Sequence, residues 1–207
     1  MSELTVGLQE WAACCRALGD GRLVLTVRKG GIHERGGGLF RPEHDRFLLM
    51  PTHLHQDQAR VAGPFAADVT ETKVDPAPGR HRIGLWAEVA CVWKVADLSE
   101  LHSVGPELMW TPHELETRFT YRDQPFLFVL ALRVMRLPAP VEIDDDPSYA
   151  GCRSWIPLKA PVNIDNSVPV VSSGYFEARL DRLNTALSPG RAISRTLDSP
   201  RQIRTPR

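Results

Sequence analysis

A 14-residue segment with alternating side chains limits the fold more than any other feature of the sequence. Over residues 82–95 apolar side chains recur at every second position, and the intervening positions carry three charged side chains. Successive residues of a strand point to opposite faces at a rise of about 3.3 Å, so the segment predicts a strand about 46 Å long. One drier face is typical of an antiparallel sheet. That face consists of Ile83, Leu85, Ala87, Val89, Cys91, Trp93 and Val95.

Other apolar segments are predicted to be strands of the same sheet. Residues 126–137 are apolar on both faces, which predicts a central strand that Pro138 and Pro140 end. Residues 22–27 and 47–50 are predicted to form shorter strands, and a last short strand begins near residue 156. The sheet therefore draws on most of the chain.

Helices are predicted at both ends of the chain and between the strands. Thr111-Pro112-His113-Glu114 combines a capping Thr, Pro at the first helical position and a Glu that completes a capping box. A short helix is predicted over residues 97–104, and Ser172 or Ser173 is expected to cap a final helix. Helical spacing also predicts a first helix over residues 2–18. Its apolar positions are Leu8, Trp11, Cys15 and Leu18.

These elements predict an α+β fold with a curled mixed or antiparallel sheet, flanked by short helices and with terminal helices. Gly84 permits a bend, and a barrel-like shape is one form such a sheet takes. Residues 1–187 are expected to form a single domain, within which residues 57–80 are a polar, Pro-rich excursion. Residues 188–207 contain five Arg and one Asp and are predicted to be a disordered basic tail.

The charge and composition of the chain exclude several function classes. Lys plus Arg and Asp plus Glu both total 25, so any binding of a polyanion has to come from a local patch. No apolar run approaches the roughly 18 residues of a membrane helix, and the N-terminus has no secretory signal, which predicts a cytoplasmic protein. The four Cys include no CxxC pair and are expected to be reduced.

The densest chemistry lies in a segment with four of the seven His. It contains Arg28-Lys29-Gly30-Gly31 at the end of a strand, where free backbone N–H groups beside two cations are typical of an anion site. A solvated strand end is the alternative. His44 and His55, with Glu34 to orient an imidazole, are the acid–base candidates. No metal ligand set is assigned, although His53 and His55 on a continuing strand would point to one face.

Four blocks of sequence, taken together, resemble a known family. They include Leu-Gln-Glu-Trp-Ala at 8–12 and Arg-Lys-Gly-Gly-Ile at 28–32, followed by Glu34. The others are Phe-Leu-Leu-Met-Pro-Thr-His-Leu-His-Gln at 47–56 and Gly-Cys-Arg-Ser-Trp at 151–155. Over residues 8–187 the chain resembles bacterial proteins classified as domain of unknown function 1802. The resemblance implies a stand-alone cytoplasmic protein and no particular activity.

Three hypotheses for function follow, and whether the chain is an enzyme stays open. The first is binding of a phosphate-bearing ligand, a nucleic acid or nucleotide, with the ligand-binding residues Arg28, Lys29, Gly30, Gly31, Gln56, Arg153 and Ser154. The second is a hydrolase, such as a phosphodiesterase with or without a metal, that uses His44 and His55. The third is a protein-interaction module with an exposed patch of Trp11, Trp86 and Trp110. No cofactor and no oligomeric state are predicted.

Overall fold

A mixed, eight-stranded sheet dominates the computed structural model, which describes residues 1–30, 39–151 and 153–187 and the backbone of residues 192–193. Six strands follow the order β2-β5-β4-β3-β1-β6, while β7 pairs with β5 and β8 with β4. The sheet is curled and open, which confirms the predicted α+β class. The strands are β1 Glu3–Trp11, β2 Leu25–Arg28, β3 Arg46–Thr52, β4 Arg80–Val95, β5 Leu127–Asp144, β6 Trp155–Asn163, β7 Val168–Pro169 and β8 Ala192–Ile193.

The long alternating segment forms β4, the predicted strand, but its alternation is broken twice. The antiparallel register with β5 shifts between Ile83 and Leu85 and again between Val89 and Cys91. Each irregularity re-aims the side chains that follow it. Ile83 and Trp86 consequently belong to one core cluster and Ala87 to the other, so the prediction of one continuous dry face is wrong.

Strand β5 does not end at Pro138 and Pro140 as predicted but continues to Asp144. Arg136 faces Leu85 and Val141 faces Ile83, so residues 137–140 stand opposite Gly84 alone. Proline lacks the backbone N–H that regular pairing with a neighbouring strand requires. Within this irregular stretch that hydrogen bond is not needed, so the prolines are tolerated. The strand therefore resumes beyond the prolines.

The N-terminal segment begins as a strand rather than the predicted helix. β1 lies inside the sheet, parallel to β3 and antiparallel to β6, and helix α1 Ala12–Gly19 follows it directly. The helical spacing of apolar residues is real within α1, but residues 3–11 gain hydrogen bonds from two neighbouring strands. That tertiary pairing outweighs a local helical preference.

The other predicted helices begin at capping side chains, but Glu114 does not complete the predicted capping box, because the Thr111 N–H donates to the Arg60 carbonyl instead. Thr111 accepts a hydrogen bond of 3.2 Å from the Glu114 N–H at the start of α4 Pro112–Thr120, and Ser172 caps α5 Ser173–Ala186 through the Tyr175 N–H. Asp97 caps α3 Leu98–Ser103, and the excursion at 57–80 contains helix α2 Ala66–Glu71. Local capping chemistry thus sets these boundaries.

Side chains join the two ends of the six-strand path. Arg28, the last residue of β2, donates from Nη2 to Ser154 Oγ at 2.6 Å, immediately before β6. Thr26, also in β2, donates to Glu10 of β1 at 2.6 Å. We call the contacts of Arg28 and Thr26 with Glu10 and Ser154 the seam. The seam places residues from both ends of the path beside one groove.

Candidate functional site

A single groove of about 1160 Å³ collects most of the charged side chains singled out above. Its lining includes nine Lys or Arg and five carboxylates, although the whole chain has no net charge. The described lining residues therefore include more cations than carboxylates, although Arg16 and Arg80 also pair with Glu71, Glu142 and Asp144 outside the lining. Its cations are Arg16, Arg28, Lys29, Arg60, Arg80, Arg82, Arg118, Arg136 and Arg153. Its acids are Glu10, Asp20, Asp75, Glu114 and Asp145.

Glu10 is the buried centre of the seam, with 4% of its surface exposed. Its Oε2 accepts the Thr26 hydroxyl at 2.6 Å and Arg28 Nη1 at 2.9 Å, and its Oε1 accepts the Trp11 N–H at 2.8 Å. β1 places this carboxylate among three donors that compensate its burial. Sequence reasoning missed Glu10, although it lies in one of the four family blocks. The available signal was an acidic residue within a segment that enters the core.

Arg28 connects Glu10 to Ser154, two residues that the chain separates widely. Nη1 binds Glu10, Nη2 binds Ser154, and the guanidinium lies 5.4 Å from the centre of the Phe40 ring. The side chain is 13% exposed, and its buried Nε has no hydrogen-bond partner among the described residues. Arg28, predicted to bind a ligand, lines the groove, but Glu10 already neutralises its charge.

Lys29 lines the groove yet its ammonium is engaged elsewhere. It donates to the carbonyl oxygens of Phe119 (3.2 Å), Phe126 (2.9 Å) and Gln124, and it lies 4.5 Å from the Phe126 ring. Burial, and then the charge of Lys94, lower the pKa of Lys29 to about 8. The structure thus gives Lys29 a tethering role between β2 and the α4–β5 connection.

A second charged cluster, which sequence reasoning missed, lies on the floor of the groove. Glu114, only 3% exposed, binds Arg60 Nε at 2.8 Å through one oxygen and Arg118 Nε at 2.6 Å through the other. The Arg118 guanidinium stacks 3.5 Å from the centre of the Trp110 ring, and Arg60 lies 5.9 Å from Trp11. Burial lowers the pKa of Arg118. We call Arg60, Arg118 and Glu114 the floor cluster.

Arg153 and Gly30 are predicted binding residues that line the groove. Arg153 forms no ion pair or side-chain hydrogen bond with any residue in the described parts of the chain, and its Nε is buried without a partner. Gly30 has φ of 118°, a backbone conformation that favours glycine. Ser154 lies beside them and is engaged in the seam.

The predicted histidines do not come together. His55 is exposed and lines the groove with φ of 61°, so the chain turns after β3 and the idea that His53 and His55 share a strand face is wrong. His53 lies 2.9 Å from the Thr72 carbonyl. His44 does not line the groove and packs edge-on against Trp155 with 4.9 Å between ring centres. Within the described ranges no three His, Cys, Asp or Glu side chains form a metal ligand set.

Gln56 serves structure rather than the groove. Its side chain accepts the Ala13 N–H at 2.8 Å and donates to the Thr72 carbonyl at 2.9 Å, which connects α1 to the segment after α2. Gly31 and Glu34, also among the predicted site residues, lie outside the described residues, as do His33 and Cys152.

Comparison with known proteins places this sequence in a family. The model of a domain of unknown function, DUF1802, matches residues 7–182. The chain belongs to the DUF1802 family. The matched range contains the seam, the floor cluster and the described residues that line the groove, so this part of the groove is built from the family domain. No curated protein matches the sequence.

A solved structure is similar to this DUF1802 domain. The crystal structure of ASCH from Zymomonas mobilis is 12% identical, with a TM-score of 0.41, and the match covers 86% of this chain and 94% of that chain. A likeness of this extent assigns neither a ligand nor an activity to the family.

The tryptophans do not form the exposed patch required by the interaction-module hypothesis. Trp86 is 6% exposed and Trp110 is 4% exposed, and Trp11 packs edge-on against Trp110 with 4.9 Å between ring centres. These indoles support the core and the floor cluster.

No helix in the described residues is long and apolar enough to span a membrane.

Proposed function

We propose that the groove binds a phosphate-bearing ligand, and that this ligand is a single-stranded nucleic acid. The observation that carries the proposal is a lining with nine cations and five carboxylates in a chain of zero net charge. Phosphates of a nucleic acid supply the matching negative charge, and counterion release makes such binding favourable at low salt.

The dimensions of the groove favour a strand over a mononucleotide. Its volume of about 1160 Å³ exceeds the range of about 300–1,000 Å³ that is usual for small-molecule pockets. Trp11 and Tyr121 are among its lining residues, and Leu54, also in the lining, is 72% exposed. Aromatic and apolar side chains beside cations suit unpaired bases, which stack on them without regard to sequence.

Two lining arginines are available without breaking an ion pair or a side-chain hydrogen bond to a described residue. Arg82 and Arg153 line the groove and form no ion pair with any described residue. Arg16, Arg60 and Arg118, in contrast, already bind carboxylates. Binding a phosphate at Arg82 or Arg153 therefore carries no cost for a lost partner, and these two side chains are expected to contribute most of the salt-sensitive affinity.

Fluorescence anisotropy with labelled oligonucleotides tests the proposal. Single-stranded RNA, single-stranded DNA and duplexes of equal length are titrated over a salt series with wild type and the Arg82→Ala/Arg153→Ala double variant. The slope of log affinity against log salt is negative, and each lost phosphate contact makes it shallower by about 0.7 for single strands. Arg182→Ala is the matched control, since Arg182 is exposed, paired with Glu107 and outside the groove lining. Unchanged binding in the double variant, or no binding at low salt, refutes the proposal.

The hydrolase alternative has no support from the placement of its residues. Of the three acid–base candidates His55 lines the groove, His44 packs against Trp155, and Glu34 lies outside the described residues. General acid–base catalysis needs the groups within reach of one reacting atom. Binding without an assigned reaction is therefore the function put forward, and a cytoplasmic location stays a prediction.

A further inference from the structure

The floor cluster has one positive charge more than its carboxylate can balance. Glu114 is the partner of two guanidinium groups, Arg60 and Arg118, and all three side chains line the groove. The adjacent seam adds Glu10 and Arg28, whose charges act on Arg118 and cancel one another. Among the described residues the cluster therefore carries one net positive charge beside the groove, which favours binding of an anion there.

The unused donors of the two arginines point to the kind of anion. Both reach Glu114 through Nε, and in the described parts of the chain neither forms a hydrogen bond through its terminal Nη groups. Arg118 is 21% exposed and Arg60 41%, so these groups are accessible to a ligand. Two guanidinium groups present up to eight terminal N–H donors, a supply that matches the several oxygens of a phosphate.

The tryptophans fix the positions of these guanidinium groups. The Arg118 guanidinium lies 3.5 Å from the centre of the Trp110 ring, and Trp11 contacts both Trp110 and Arg60. A guanidinium stacked on an indole and held at Nε loses little further freedom when it binds an anion. The cluster is therefore organised before any ligand arrives.

We propose that Arg60 and Arg118 form a clamp for one phosphate group on the floor of the groove, with Glu114 as its internal competitor. This inference rests on the proposed binding of phosphate-bearing ligands and assigns that function a central subsite. Two sources supply the same chemistry, a terminal phosphate or a phosphodiester within a strand. Arg82 and Arg153 lie outside the clamp, so their removal and the loss of the clamp are separable.

The test measures binding of small phosphates to the folded protein at constant ionic strength, by ³¹P NMR line broadening. The probes are inorganic phosphate, a nucleoside 5′-monophosphate and a dinucleoside monophosphate that carries a single internal phosphodiester. Binding of the first two alone assigns the clamp to a terminal phosphate. Binding of the dinucleoside monophosphate assigns it to a strand.

Variants expected to weaken phosphate binding and one expected to strengthen it distinguish a clamp from a merely structural cluster. Arg118→Met and Arg60→Ala are each expected to weaken phosphate binding by about tenfold or more, the effect of one charge-assisted contact. Glu114→Gln removes the competitor and is expected to strengthen it. Arg60 is the more exposed arginine, so Arg60→Ala decides the matter if the buried variants fail to fold. Unchanged affinity in folded Arg60→Ala refutes the clamp.

The small-phosphate test of the clamp and the oligonucleotide test of the proposed function can fail independently. If oligonucleotides bind through Arg82 and Arg153 while no small phosphate binds, the clamp is wrong and the proposed function stands. If small phosphates bind, Arg60→Ala weakens that binding and oligonucleotides do not bind, the clamp stands and the strand proposal is wrong. If neither binds, both are wrong.

Discussion

Replacing Glu10 with Gln is expected to destabilise the protein by about 3 kcal/mol. Glu10 is 3% exposed in its side chain and Arg28 13%, so the substitution leaves a buried guanidinium without its counter-charge. Breaking a buried pair by removing one partner costs about 3–5 kcal/mol. The lower value applies because Ser154 Oγ continues to accept from Arg28 Nη2 at 2.6 Å.

The geometry explains why an amide is a poor substitute for this carboxylate. Both oxygens of Glu10 accept hydrogen bonds, one from the Trp11 N–H and the other from Thr26 and Arg28. In either orientation the NH₂ group of the introduced glutamine faces a donor and leaves at least one buried group unsatisfied. A loss of about 3 kcal/mol is a large part of the total stability of about 5–15 kcal/mol.

Urea unfolding followed by tryptophan fluorescence measures the change in the free energy of unfolding. For a domain of this size the melting temperature is expected to fall by about 6–12 °C. Glu88→Gln is the matched control, because it breaks the half-exposed Arg46–Glu88 pair on the same sheet and should cost less than about 1 kcal/mol. In the double variant Glu10→Gln/Arg28→Met the two losses should not add. A cost for Glu10→Gln as small as that of the control would refute the account of the seam.

Two further predictions concern buried titratable groups. Burial lowers the pKa of Lys29 from 10.5 to about 8. Between those pH values the unfolded chain binds more protons than the folded protein. The stability of wild type relative to Lys29→Met should therefore rise with pH in that window. Denaturant titrations at pH 7 and 10 check this, and a constant difference would contradict it. Burial raises the pKa of the Cys14, Cys15 and Cys91 thiols, so a thiol reagent at pH 8 should label at most one of the four Cys natively and all four in guanidinium. Labelling of two or more in the native state would be the contrary result.

Features set by neighbouring residues were predictable from the sequence. Thr111 caps α4 and Ser172 caps α5 because a side chain and an N–H three residues later meet through local geometry. The alternation of residues 82–95 likewise reflects the period of a strand. The N-terminal strand was missed because its hydrogen bonds come from β3 and β6, which local spacing does not report.

The site shows the same division between local and distant information. Glu114 was predicted as a capping residue, and its N–H does bond to Thr111, but its carboxylate binds Arg60, 54 positions away. Composition placed Arg28, Arg153 and Ser154 in a site and the structure brings them to one groove. Lys29 has the same composition around it, yet the carbonyls that engage it come from residues 119–126 and no pattern near Lys29 indicates them.

The seam has a consequence for how the molecule is assembled. Arg28 and Ser154 are 126 positions apart, and Glu10 and Arg28 only 18, so the charge pair forms early in the chain and its final acceptor arrives late. Contacts of such high sequence separation form slowly, after a large loop has closed. During synthesis, the segment before β6 is made long after Glu10 and Arg28. The groove is therefore expected to be complete only once residues 10–154 have been made and the sheet has formed.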